Sequence, residues 1–198
     1  MRLSHYFLGL PVCCLLLAGC SSTPEAPTSI ISKFHGVLPE ILVSDSGLFH
    51  GVMLGMTEAE VKKYATPKDS LSLEQGQTLL FEGKTAPNKE YTYECNFDEK
   101  GLHTVTLEIF LKDEQNGDSL LADFRNYFSL KYGGPAETDD TYTWTVDQGK
   151  RPAKIQLSED PEYAYGKLTI VFFDKTFDLL PPGMDSLGAP TGDSLILP

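Results

Sequence analysis

From His103 to Lys112 the chain alternates strictly, with His103, Val105, Leu107, Ile109 and Leu111 on one side and Thr104, Thr106, Glu108, Phe110 and Lys112 on the other. Successive side chains of an extended strand point to opposite faces, so this stretch asks for a sheet with one face in a core and one free. Thr78–Glu82 and Glu90–Phe97 come before it, and the turn Asp98-Glu99-Lys100-Gly101 joins Glu90–Phe97 to Leu102–Lys112 as a hairpin. Three more strand-like stretches follow. Tyr142–Val146 places Tyr142, Trp144 and Val146 on one face, Ala153–Leu157 places Ala153, Ile155 and Leu157 likewise, and Lys167–Phe173 turns Leu168, Ile170 and Phe172 inward.

Helices precede each set of strands. Thr57 and Glu60 form a capping box, in which the threonine hydroxyl accepts from the amide three residues on while the glutamate reaches back. The spacing predicts a helix from Glu58 to Ala65, stopping before Pro67, with Val61, Tyr64 and Ala65 as its apolar stripe. Asp118 or Ser119 caps a second helix from about Leu120 to Tyr132, with Leu121, Phe124, Phe128 and Tyr132 on one side and Gly133-Gly134-Pro135 closing it. Helix and three strands thus occur twice, over residues 48–113 and 117–177. Each unit alone buries too little apolar surface to stand by itself. The expected fold is α+β: tandem α-β-β-β units forming one antiparallel sheet with two helices on one face.

The N-terminus reads differently. Arg2 precedes a short apolar run from Tyr6 to Leu17, which ends in Leu17-Ala18-Gly19-Cys20. Such a run is a processing signal rather than a membrane-spanning helix. The tetrapeptide resembles the bacterial lipobox, against the alternative of an ordinary secretory peptide with an incidental Cys20. The resemblance implies that residues 1–19 are a lipoprotein signal peptide and that Cys20 becomes the first mature residue. There it carries diacylglyceryl and acyl chains, such as palmitate, that hold the protein to a membrane. At about 0.8 kcal/mol for each buried methylene, several chains make that anchoring permanent. Ser21 after the cysteine, rather than Asp, implies sorting to the outer membrane.

Cleavage changes the arithmetic of charge and thiols. The whole chain carries a formal net charge of −12, and the mature chain about −13. That acidity, with no cluster of Lys and Arg, argues against nucleic acid and against an anionic lipid surface held by a polybasic face. With Cys20 acylated only Cys95 is left, so no internal disulfide forms and stability must come from a core. In Tyr91-Thr92-Tyr93-Glu94-Cys95-Asn96-Phe97 the cysteine shares a face with aromatics and reads as a small buried hydrophobe, with no histidine placed to activate it. Residues 20–47 form a lipidated tether and lead-in. Ser, Thr and Pro dominate to Lys33, and Phe34–Phe49 regains apolar residues with a short strand expected at Glu40–Val43. The tail 178–198 is rich in Pro and Gly and is expected to lack regular structure.

Gly51-Val52-Met53-Leu54-Gly55-Met56-Thr57-Glu58-Ala59-Glu60-Val61 resembles the helix entry, Gly-Met-Thr followed by an acidic residue and Val, of the small outer-membrane lipoproteins of the β-barrel assembly machinery. Lys131-Tyr132-Gly133-Gly134-Pro135, followed by a Trp-bearing strand, is similar to the helix exit of that group and of the wider beta-lactamase-inhibitor-protein-like fold. Together with the element order the likeness covers roughly residues 48–173. It implies helices on one face of an antiparallel sheet and action by binding other proteins, without catalysis. The tandem arrangement is unlike the single unit of the assembly-machinery lipoprotein and like that of the inhibitor protein, whose contact residues find no match here.

Chemistry-bearing patterns are sparse. His5 leaves with the signal, His35 and His50 flank the lead-in, and His103 stands in the inward register of its strand, so all three mature histidines read as surface or half-buried structural residues. Glu137-Asp139-Asp140 and Glu159-Asp160-Glu162 hold the oxygen ligands that Ca²⁺ favours, yet neither follows the EF-hand order, and both read as solvated inter-strand turns. No nucleophile elbow, phosphate loop or dinucleotide fingerprint occurs. Neither a cofactor nor a metal is therefore expected.

One-sided helices would leave the other sheet face open. Thr104, Thr106 and Phe110 on one strand and Thr169, Val171 and Phe173 on another are the expected binding residues, unless the lead-in 34–49 or the tail 178–198 covers them. Threonines with a few aromatics suit a protein partner. The leading expectation is a non-enzymatic, lipid-anchored envelope protein that binds another envelope protein, in assembly or in enzyme inhibition. The alternative is a periplasmic binder of a small ligand or ion, which would need a polar pocket between helices and sheet. A hydrolase would need a nucleophile–base pair that the chain does not display.

Overall fold

The computed structural model describes residues 29–85, 89–111, 117–147, 151–160, 163 and 166–176. Its strands are β1 (Asp69–Gln75), β2 (Thr78–Thr85), β3 (Lys89–Asp98), β4 (Gly101–Phe110), β5 (Ala136–Thr138), β6 (Thr141–Val146), β7 (Ala153–Asp160) and β8 (Lys167–Asp174). They form one sheet in the order β1-β2-β3-β4-β8-β7-β6-β5, and each pairing is antiparallel. Strands adjacent in sequence lie side by side except in the middle, where β4 meets β8 with Thr104 opposite Phe173 and Phe110 opposite Lys167. Helices α1 (Val37–Leu42), α2 (Glu58–Val61) and α3 (Gly117–Tyr132) complete an α+β fold.

Alternation builds the core. Leu79 and Phe81 of β2, Tyr91, Tyr93 and Cys95 of β3, Val105, Leu107 and Ile109 of β4, Ile155 and Leu157 of β7, and Leu168, Ile170 and Phe172 of β8 are all buried. Against them pack Leu38, Ile41 and Leu42 of α1, Val61 of α2, and Leu120, Phe124 and Phe128 of α3, in one continuous cluster. The Phe128 ring lies 5.3 Å from Trp144 and 6.0 Å from Phe172. Gly133, at φ 92, ends α3 in the left-handed conformation common at helix C-termini, and the Trp144 indole donates to its carbonyl at 3.0 Å.

Several expectations need correction. Glu40–Val43 is not a strand but the C-terminal half of α1 and its cap, because Leu38, Ile41 and Leu42 recur at helical spacing and Pro39 falls in the first turn, where its missing N–H costs nothing. The Thr57–Glu60 capping box forms as read, yet the α-helix ends at Val61. Beyond it the amides of Lys63 and Tyr64 bond three residues back, which is 3₁₀ geometry. On α3, Tyr127 is fully buried with Phe124 and Phe128, while Leu121 and Tyr132 pack only at the margin.

α2 and α3 are each followed by four strands, not three. β1 lacks the alternation of a half-buried strand, because nearly all of it is exposed and a bulge between Leu71 and Leu73 shifts its register: Leu71 pairs with Phe81 and Leu73 with Leu80, on opposite faces. β5 has only three residues, joined to β6 through Asp139 and Asp140, both at positive φ. These two carboxylates form the solvated turn expected of them. Glu159 and Asp160, by contrast, belong to strand β7, and Glu162 lies outside the described residues.

His103 also departs from expectation. Asn96 faces Thr104 but Phe97 faces Leu102, so His103 is the extra residue of a bulge and Leu102 takes the inward position. The peptide of Leu102 pairs with the stretch before α2, donating to Met56 at 2.8 Å and accepting from Gly55 at 2.7 Å. Gly101, at φ 100, makes that approach feasible, since a Cβ there would lie 2.8 Å from the carbonyl oxygens of Gly55 and Met56.

Candidate functional site

Sheet register places the expected binding residues in adjacent rows on the face turned away from the helices. One row runs Asn96, Thr104, Phe173, Lys154; the next runs Glu94, Thr106, Val171, Gln156; a third runs Thr92, Glu108, Thr169, Ser158. Cross-strand neighbours on one face stand about 5 Å apart, so Thr104, Thr106, Thr169 and Val171 form a continuous patch over the β4–β8 junction. Phe110 lies at its end, with the Tyr163 ring centre 5.5 Å away. Lys167 donates to Glu108 at 2.8 Å and stands 5.8 Å from the Tyr163 ring centre, and Glu108 raises the lysine pKa. Beside Phe110, a depression of about 300 Å³ is lined by Glu82, Lys84, Glu90 and Thr92.

Exposure on this face is lower than the sequence suggests. Phe173, expected to be an exposed aromatic, is 2% exposed. It lies on an interior strand with Thr104 and Lys154 beside it on the same face, so cross-strand neighbours are in reach of its ring. Phe110, Val171 and the threonines are half-buried. The lead-in is not what covers them, since Leu38, Ile41, Leu42 and Phe49 all join the core on the opposite face. Cys20 and the tail 178–198 lie outside the described residues.

No known protein family, curated protein or solved structure matches this chain.

Three polar constellations were missed in the sequence, and each ties remote segments together. In the first, His50 is buried at φ 51, stacked on Phe49 with ring centres 3.9 Å apart. Its Nε2 meets the carbonyl of Ile41, so that nitrogen carries the hydrogen, and Nδ1 lies 3.6 Å from Asp69. Burial lowers the imidazole pKa, outweighing the opposing pull of the Ile41 carbonyl and Asp69. Asp69 accepts from the Tyr91 hydroxyl and from the Thr66 amide, both at 2.6 Å. No spacing rule links a histidine before α2 with an aspartate after it.

The second centres on Lys131. Its ammonium donates to the carbonyl of Gly47 at 2.8 Å and to the Tyr127 hydroxyl at 3.2 Å, between the rings of Tyr127 and Tyr132. Desolvation lowers its pKa to about 8, partly offset by Asp45. The third is Arg151, which holds Asp98 at 2.8 Å, Asp174 at 3.3 Å and the carbonyl of Leu102 at 3.2 Å. Together these groups pin the lead-in to α3 and one end of the sheet to itself. Among the described residues no group of three or more His, Cys, Asp or Glu side chains is placed to hold a metal ion.

Proposed function

We propose that this chain is a lipid-anchored envelope protein that acts, without catalysis, by binding another envelope protein through the sheet face that none of its described helices covers. The observation that carries this reading is the asymmetry of the sheet. Helices and lead-in cover one face, while Thr104, Thr106, Thr169, Val171 and Phe110 run together on the other. A polar face with interspersed apolar groups is compatible with a protein interface, which as a whole is about as apolar as other protein surface. The anchor is read from Leu17-Ala18-Gly19-Cys20, and Ser21 favours the outer membrane. We further read the fold as two units in tandem, one running from α2 through β4 and the other from α3 through β8, joined by the β4–β8 pair. The sheet order supports this, because each half lays its strands down in sequence from the edge inward. Under this reading the likeness to the assembly-machinery lipoproteins and to the inhibitor-like fold concerns architecture.

The test is site-specific photocrosslinking in the native envelope from Thr106 and Val171, beside a Thr106→Glu/Val171→Glu variant. Capture of one specific protein, lost from a variant that melts as the parent does, supports the binding face. The same captures from both, or none, refute it. Labelling with radioactive palmitate tests the anchor: the label must appear on the parent and vanish from Cys20→Ser.

A further inference from the structure

Three large apolar side chains stand out of the molecule around the point where the chain enters it: Val43 is 53% exposed, Tyr64 43% and Leu130 55%. They flank a single loop, residues 43–51. The Tyr64 ring lies against Gly51, where an added Cβ would come within 2.7 Å of it. Lys131, next to Leu130, holds the carbonyl of Gly47. Leu130 lies one turn beyond Tyr127, whose ring meets Phe34 of the lead-in edge-on, so it shares the side of α3 that faces the incoming chain.

Val43 carries a second signal. Its φ is 57 and its ψ −36, and the Ser44 amide bonds to the Leu42 carbonyl across it, so Val43 is the centre of a γ-turn with positive φ, a conformation strained for a β-branched residue. Because more than half of the side chain is exposed, burial inside the protein does little to offset that strain. The apolar group stands where a contact outside the chain could use it.

The position of the tether names that contact. The Asp45 carboxylate accepts from the Ser29 hydroxyl at 2.5 Å and from the amides of Ile30 and Ile31 at 2.7 and 3.1 Å, which fixes the entry point two residues from Val43. From Cys20 to Ser29 the chain extends at most about 32 Å. On the reading that Cys20 is acylated, we propose that Val43, Tyr64 and Leu130 rest in the interface of the same bilayer and fix the orientation of the domain on it. So short a tether keeps this face at high effective concentration beside lipid, where apolar side chains and a tyrosine are favoured. Exposed Lys63, beside Tyr64, and Lys33, in the turn after Ile30, are suited to reach headgroups. The sheet face proposed to bind protein then points away from the membrane.

The full-length lipoprotein, reconstituted into vesicles of phosphatidylethanolamine and phosphatidylglycerol, provides the test. Single cysteines at Val43, Tyr64 and Leu130, and controls at Thr106 and Lys154, are labelled with an environment-sensitive fluorophore and quenched by spin-labelled lipid. Contact with the interface gives roughly twofold or greater excess quenching at the first three positions over the controls. Equal quenching at all five, in protein whose mass confirms an acylated Cys20, overturns the orientation and leaves the anchor standing. A mass without acyl chains overturns the anchor, and the inference with it.

Discussion

The hydroxyl of Tyr91 reaches the carboxylate of Asp69, 2.6 Å away, by laying its ring across Gly83. In the sheet register Gly83 is opposite both residues, Asp69 on β1 and Tyr91 on β3, so the ring spans the strand between them. A Cβ at Gly83 would fall 2.1 Å from the ring carbon bearing the hydroxyl. Gly83→Ala is expected to cost about 2 kcal/mol by overpacking, and Tyr91→Phe about 1–2 kcal/mol by taking a donor from a buried carboxylate. In a Tyr91→Ala background the alanine at 83 should cost much less. Denaturant titration of the cycle checks this, and additive losses would contradict the contact.

His50 makes stability pH-dependent. Its folded pKa is held below the ordinary 6.5, so the unfolded chain takes up a proton there first. The stabilisation is complete above pH 6.5 and drains away as pH falls from there toward the folded value. His103 is lowered by burial as well and adds to the same trend. Melting temperatures followed from pH 7.5 to 5 should fall less steeply in His50→Gln than in the parent, and an unchanged slope would remove His50 from the account.

Cys95 should be inert. Burial pushes its thiol up to about 12, so almost no thiolate exists at neutral pH. Iodoacetamide at pH 8 is expected to leave the native protein unlabelled and to modify it rapidly in guanidinium chloride. Native labelling faster than unfolding would show the thiol to be accessible.

Arg151→Met should destabilise by about 3 kcal/mol, because Asp174, whose side chain is 7% exposed, loses its cationic partner. Asp98 is 30% exposed and can turn to water, so Asp98→Asn should cost less, below about 1 kcal/mol. Thermal melts of the two variants compare them directly, and equal losses would contradict the ranking.

These features divide by how far apart their parts lie in sequence. Local signals were plain: the Thr57–Glu60 box formed, and the inward alternation of Val105, Leu107 and Ile109 held residue by residue. Bulges were hidden, since the one at His103 is defined by a partner strand and the one at Ser72 turns a regular Leu-x-Leu into residues on opposite faces. The expected binding patch came together because period two carries across any register that keeps faces aligned. Phe173 failed as an exposed aromatic because shielding depends on which strands flank β8, and periodicity does not encode that. His50 with Asp69, and Lys131 with Gly47, meet only after the lead-in folds back over the core.

The β4–β8 pairing also governs when the fold can be finished. Phe110 and Lys167 are neighbours in the sheet yet 57 positions apart in the chain, and β8 is the last strand described although it sits in the middle of the sheet. During synthesis, β4 must therefore wait with its backbone edge unpaired until residues 167–174 arrive. Such long-range closure is slow, and a waiting edge invites association with other chains. A chaperone binding extended segments would find its substrate in that interval, and a stop shortly before residue 167 would leave β4 and β7 as two permanent open edges.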